Sequence, residues 1–212
     1  MYKKSNSHSA FTLAEVLITL GIIGVVAVMT MPALIQNYKK AETSSRLKKF
    51  YSTMEQAIKL SELDNNEATT WTKPESANVE KDFFFKYIAP YMKNTNYNEK
   101  LKRVYLADGS SFSIWNGECI DIVYDTNGDK RPNEAGRDRF YFVINLTDNY
   151  RKANCGNENK VFCTNVIVYS SYNHIFSSRQ NALNGCKNSP VLCSSLLMLD
   201  GWEIKKDYPH KL

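Results

Sequence analysis

From Val16 to Ile35 twenty consecutive residues carry no charge. At about 1.5 Å per residue, a helix of that length spans ~30 Å, the hydrocarbon thickness of a bilayer. Gly21, Gly24 and Pro32 lie inside the run, and membrane helices tolerate such residues better than soluble ones. The apolar core of an ordinary secretory signal is only about 7–15 residues, with a small-residue cleavage site after it. Beyond Pro32 the pattern narrows to one stripe. Leu47, Phe50, Tyr51, Met54 and Ile58 are spaced by threes and fours, with Lys48, Lys49 and Lys59 on other faces. A period of 3.6 predicts an amphipathic helix with one packed side. Asp64-Asn65-Asn66 breaks the period. Residues 11–63 are therefore read as one helix about 80 Å long. Its segment 11–35 is apolar on every face, and its segment 36–63 is a stem packed against a head, residues 64–212.

In that head, residues 64–79 are polar and read as a loop. Glu80 to Met92 carries Phe83, Phe84, Phe85, Tyr87 and Ile88 and predicts a short second helix stopped near Pro90. The period then changes to two. Arg103–Ala107 and Ser111–Trp115 flank Asp108-Gly109 and predict a hairpin. Cys119–Asp125 and Arg139–Leu146 are further strands, and the four fall naturally into an antiparallel meander. Past residue 146 the pattern weakens; Val161–Tyr169 fits a strand or a helix. The fold class is α+β: a long N-terminal helix on a small antiparallel sheet.

Composition and charge refine this picture. The net charge of +5 is a mild excess, built from Lys3 and Lys4 before the apolar run and largely from Lys39, Lys40, Arg46, Lys48, Lys49 and Lys59 after it. By charge bias alone the head would lie in the cytoplasm. The cysteines point outward: Cys119, Cys155, Cys163, Cys186 and Cys193 form no C-x-x-C pair, and three scattered histidines supply no zinc spacing. Local disulfides in an exported head fit them better. Cys155 with Cys163, and Cys186 with Cys193, would close short loops, although spacing does not fix the connectivity. No glycine-rich phosphate loop, G-x-S-x-G or H-E-x-x-H stands in the chain, and the protein is not read as an enzyme.

A plain membrane anchor explains the apolar run but not Glu15 at its edge. A carboxylate costs roughly 2.5–3.5 kcal/mol at the centre of a membrane helix on insertion scales, and less near the interface. The surrounding segment is a short basic leader, the small residue Ala10, then Phe11-Thr12-Leu13-Ala14-Glu15 and the apolar helix with Pro32. It resembles the prepilin leader of type IV pilins and type II secretion pseudopilins. The resemblance implies a pilin-like head and removal of residues 1–10 by prepilin peptidase between Ala10 and Phe11, followed by methylation of the Phe11 amine. It also implies a filament in which Glu15 faces the Phe11 ammonium of a neighbour. Ala10 departs from the glycine usual before the cut. The implied partners are other copies of the chain, related pilin-like subunits, prepilin peptidase, the inner-membrane assembly platform and the lipid bilayer. The implied location is the bacterial inner membrane, single-pass, with the head outside the cytoplasm. A different reading is a membrane-tethered binding ectodomain, such as a DNA-uptake pilin using the basic stem. A filament hides that stem, which argues against nucleic acid as a partner.

One loop suggests an ion. Asp125, Asn127 and Asp129 place oxygens at alternate positions, the start of many calcium loops. Gly136 stands where an EF-hand has its glutamate, leaving Asn133 or Asp138 to substitute. The stretch resembles one found in pseudopilin-like proteins, of which some bind calcium in their heads. The alternative is an Asx-rich turn whose side chains satisfy their own backbone. Apart from calcium no cofactor is expected. The closing segment Ser195–Leu199, then Asp200-Gly201-Trp202, resembles the same group, with Trp202 as a core residue.

Overall fold

The computed structural model describes residues 12–73, 80–93, 95–117, 119–164 and 175–212. The chain divides into two units, Met1–Lys39 and Lys40–Leu212. In the first, the described residues from Leu13 onward belong to α1 (Leu13–Asn65), which contains Pro32. Its apolar window reaches a mean hydropathy of 2.3, and none of that window is buried. Among the described residues α1 alone is long and apolar enough to cross a membrane.

In the second unit α1 changes character as its pattern predicts. Leu47, Phe50, Tyr51, Met54, Ala57 and Ile58 are buried. The helix ends where Asn66 turns into the left-handed region (φ 63°), a conformation that asparagine tolerates and that commonly closes helices. The predicted second helix is more irregular than its sequence suggests. α2 (Glu80–Phe83) runs into a π-turn, Phe84–Ile88, and a 3-10 turn, Ala89–Tyr91. Pro90 cannot continue the ordinary hydrogen-bond ladder, and the widened turn buries Phe84, Tyr87 and Ile88 together.

The sheet is larger than the four strands expected. β1 (Thr95–Asn98), β2 (Arg103–Leu106), β3 (Ser111–Asn116), β4 (Ile120–Asp125), β5 (Arg139–Ile144) and β6 (Phe162–Thr164) form an antiparallel meander in sequence order. β1, Thr-Asn-Tyr-Asn, is a polar edge strand with no hydrophobic alternation to announce it. The β2–β3 turn is a three-residue loop, Ala107-Asp108-Gly109, closed by Leu106 N–H to Ser110 O at 2.9 Å, with Gly109 at φ 81°. Two cross-sheet rows, Phe112–Tyr124–Phe140 and Ile114–Ile122–Phe142, are buried. Phe50 of α1 stacks on Tyr124 at 4.0 Å and meets Phe112 and Phe142 at 5.5 and 5.4 Å. The architecture is α+β and pilin-like.

Helices past residue 146 were invisible to periodicity but carry N-caps. Thr147 accepts from Tyr150 N–H at the start of α3 (Asp148–Cys155), and Ser178 accepts from Asn181 N–H at the start of α4 (Arg179–Asn188). α5 (Cys193–Leu199) packs on β5 and β6. Of Val161–Tyr169, Phe162–Thr164 is strand and residues 165–169 lie outside the described residues.

Candidate functional site

At the head of α1, Thr12 and Glu15 close a capping box. The Glu15 N–H donates to Thr12 Oγ1 at 3.2 Å, while Thr12 N–H and its hydroxyl both donate to Glu15 Oε2 at 2.9 Å. A Thr-x-x-Glu spacing does this because the N3 side chain reaches back to the N-cap amide. Within its own chain Glu15 thus meets two donors, both from Thr12. Among the described residues the other oxygen, Oε1, takes none. The Thr19 hydroxyl donates to the carbonyls of Glu15 and Val16 at 3.0 and 2.9 Å, and that of Thr30 to Val26 at 2.9 Å. These hydroxyls are thereby satisfied within the helix, as an apolar surrounding requires. Ala10 and Phe11 lie outside the described residues.

The acidic loop brings together four of its five candidate ligands. Asp138 Oδ2 accepts from Asn133 N–H at 2.7 Å and Asn127 Nδ2 at 3.2 Å, and its Oδ1 from Glu134 N–H at 2.6 Å. Asp125 accepts from Asn127 N–H at 3.2 Å and Arg139 Nε at 3.1 Å. Arg139 also donates Nη2 to Asn133 Oδ1 at 3.0 Å. The Arg139 guanidinium thus bridges Asp125 and Asn133. Asp129 turns away to β2, where Arg103 and Tyr105 each donate to it at 2.6 Å. Burial pushes the Asp125 carboxyl above its usual range, against Arg139 and the Asn127 amide, and neighbouring Asp138 adds to the rise. Among the described residues, buried Asn127 Oδ1 has no hydrogen-bond partner.

The structure joins Cys155 to Cys163 and Cys186 to Cys193, and leaves Cys119 buried outside both disulfides. Among the described residues, only Cys186, Cys193 and His210 bring three potential metal-binding atoms close together, and the disulfide commits two of them. The C-terminal segment is held by charge. Arg179 donates to Asp200 at 2.6 and 2.9 Å and to Asp207 at 2.6 and 2.8 Å, and Lys205 joins Asp200 at 2.7 Å. Burial works against ionisation of Asp200, but bonds from Arg179 and Lys205 outweigh it and hold the carboxyl below its usual range. The Arg179 hydrogen bonds lower Asp207 as well. This clamp escaped the sequence reading because its members are 21 and 28 residues apart. It seats Asp200-Gly201-Trp202, where the Ser44 hydroxyl of α1 donates to Trp202 O and the indole lies 4.9 Å from the Tyr51 ring. Trp202 is buried, as read.

The stem's basic residues are partly committed to the head. Arg46 donates to the carbonyls of Asp108 and Thr126, both at 2.8 Å, and Lys49 pairs with Asp108 at 2.9 Å.

Residues 33–212 match the model of a family of unknown function, DUF6613. The chain belongs to that family. This DUF6613 member also matches the prokaryotic N-terminal methylation motif over residues 5–31, the prepilin-type cleavage and methylation segment of pilin and pseudopilin proteins. It is thus a pilin-like subunit, of a kind that prepilin peptidase processes and that assembles with other pilin subunits. Its apolar helix suits an inner-membrane anchor with the head outside. No curated protein and no solved structure matches the chain.

Proposed function

We propose that this protein is a structural subunit of a type II secretion pseudopilus or type IV pilus, cut between Ala10 and Phe11 and methylated on Phe11. The observation that carries the reading is Glu15, a carboxylate at the mouth of an uncharged membrane-length helix, within a matched methylation motif. Thr12 occupies Oε2, which leaves Oε1 as the acceptor for a neighbour's Phe11 ammonium. In a low-dielectric surrounding such a pair at ~4 Å is worth far more than in water. It would offset the cost of holding Glu15 in the membrane, so that the assembled state is favoured over the lone subunit. Mass spectrometry of the subunit purified from its own membrane tests this. A mature N-terminus beginning at methylated Phe11 is expected, and an intact Met1 overturns the reading.

The acidic loop has a role in the same reading. Arg139, Asp125, Asn133 and Asp138 form a protein-only staple that closes the β4–β5 connection, with Arg139 as its cation. Calcium there would have to displace that guanidinium from Asp125 and Asn133.

A further inference from the structure

Three sulfurs surround one buried amide in the head. Asn145 Oδ1 accepts from the Cys119 thiol at 3.3 Å, while Nδ2 faces Cys155 Sγ at 3.2 Å and Cys163 Sγ at 3.6 Å. Cys119, Val143, Cys155 and Cys163 form one buried cluster with the disulfide inside it. Asn154, adjacent to Cys155 at the end of α3, donates Nδ2 to Cys119 Sγ at 3.5 Å. The thiolate is the form of cysteine that attacks disulfides. A potential nucleophile and its electrophile therefore share one buried cluster.

We propose that Cys119 is an exchange partner of this disulfide, and that the head has a second covalent form joining Cys119 to Cys155. The sheet register selects that product. Cys163 on β6 stands opposite Val143 on β5, which stands opposite Asp121 on β4. Cys119 precedes β4 and so lies two ladders from Cys163, about 9–10 Å at ordinary strand spacing. A disulfide needs its Cα atoms within ~7 Å, so Cys119–Cys163 is excluded while the sheet stands. Cys155 is instead carried by α3, whose end already touches Cys119 through Asn154.

The step is balanced without an oxidant. The Cys119 thiol gives up its proton to solvent when the end of α3 opens, and the thiolate attacks Cys155 Sγ. The Cys119–Cys155 bond forms as the Cys155–Cys163 bond breaks, and the departing Cys163 thiolate takes up a proton. Exchange moves the covalent tie of α3 from the edge strand β6 to the entry of β4. It also replaces an eight-residue separation by a much longer loop, which in the chain-entropy view restrains the unfolded state more.

The test uses the full chain in detergent micelles. Wild-type protein is held in a glutathione redox buffer at mildly alkaline pH, quenched with acid, alkylated and mapped without reduction. A Cys119–Cys155 peptide accompanied by alkylated Cys163 is expected, and it should vanish in Cys119→Ser. Cys163→Ser with oxidised glutathione should lose both remaining thiols of this cluster to one internal disulfide. The proposal is overturned if the wild type keeps only Cys155–Cys163 with Cys119 the sole alkylated member, or if Cys119–Cys163 appears instead. The wild-type map decides even where the Cys163 variant fails to fold.

Discussion

Glu15 does two things at once, and substitutions separate them. Its carboxylate closes the capping box with Thr12, and its charge is what a neighbouring ammonium would meet. Glu15→Gln keeps an acceptor for the Thr12 N–H but removes the charge; Glu15→Ala removes both. Both variants should insert in the membrane as well as wild type, since they relieve a cost of up to roughly 2.5–3.5 kcal/mol. Filament yield, measured by shearing and immunoblotting, should fall severely in both. Normal filaments from Glu15→Gln would mean that capping, not charge, is what assembly uses. Arg179 is the second decisive residue, because it holds two carboxylates whose pKa values are depressed. A depressed carboxyl contributes stability that is complete above its unfolded pKa of about 4 and is lost as pH falls through the folded value. Arg179→Ala should lower Tm at pH 7 by about 2–4 °C and flatten the loss of stability between roughly pH 5 and pH 3. Asp125 has the opposite sign, its pKa being raised, so its protonation in acid offsets part of that loss. Denaturant titrations across the pH series measure the difference.

At the scale of elements, turns matter as much as strands. Gly128 sits at φ 74° in the β4–β5 connection, and a Cβ there would lie 2.7 Å from the Gly109 carbonyl oxygen of the β2–β3 turn. Both the backbone conformation and a neighbouring main chain forbid a side chain. Gly128→Ala should cost about 1–3 kcal/mol, read as a lower denaturation midpoint with the fold retained. α1, the β2–β3 hairpin, β4 and β5 were legible because one hydrophobic period runs through each. β1 was not, since it is polar and exists by pairing with β2. α3 and α4 were signalled only by Thr147 and Ser178, residues equally at home in turns.

For the whole molecule, the pattern and charge of the sequence left calcium and an Asx turn as alternatives, and we propose the staple because Arg139 reaches both Asp125 and Asn133. Thermal melts of the full chain in millimolar calcium and in chelator should coincide. A rise in Tm with calcium would restore the cage and require Arg139 to move. Arg139→Gln should lower Tm without creating calcium dependence, because it removes the guanidinium that bridges Asp125 and Asn133.

By itself the sequence determined the membrane-length helix, the amphipathic stem, the antiparallel α+β head and the pilin-like N-terminal segment. Each is written in local order: charge excluded over twenty residues, a period of 3.6, a period of two, a short contiguous motif. The tertiary structure alone decided which groups meet across distance. It set Arg139 between Asp125 and Asn133, Arg179 between Asp200 and Asp207, and three cysteines around Asn145. Such meetings depend on strand register and on where a helix end comes to rest, and those follow from burial of the whole core rather than from any short stretch of chain.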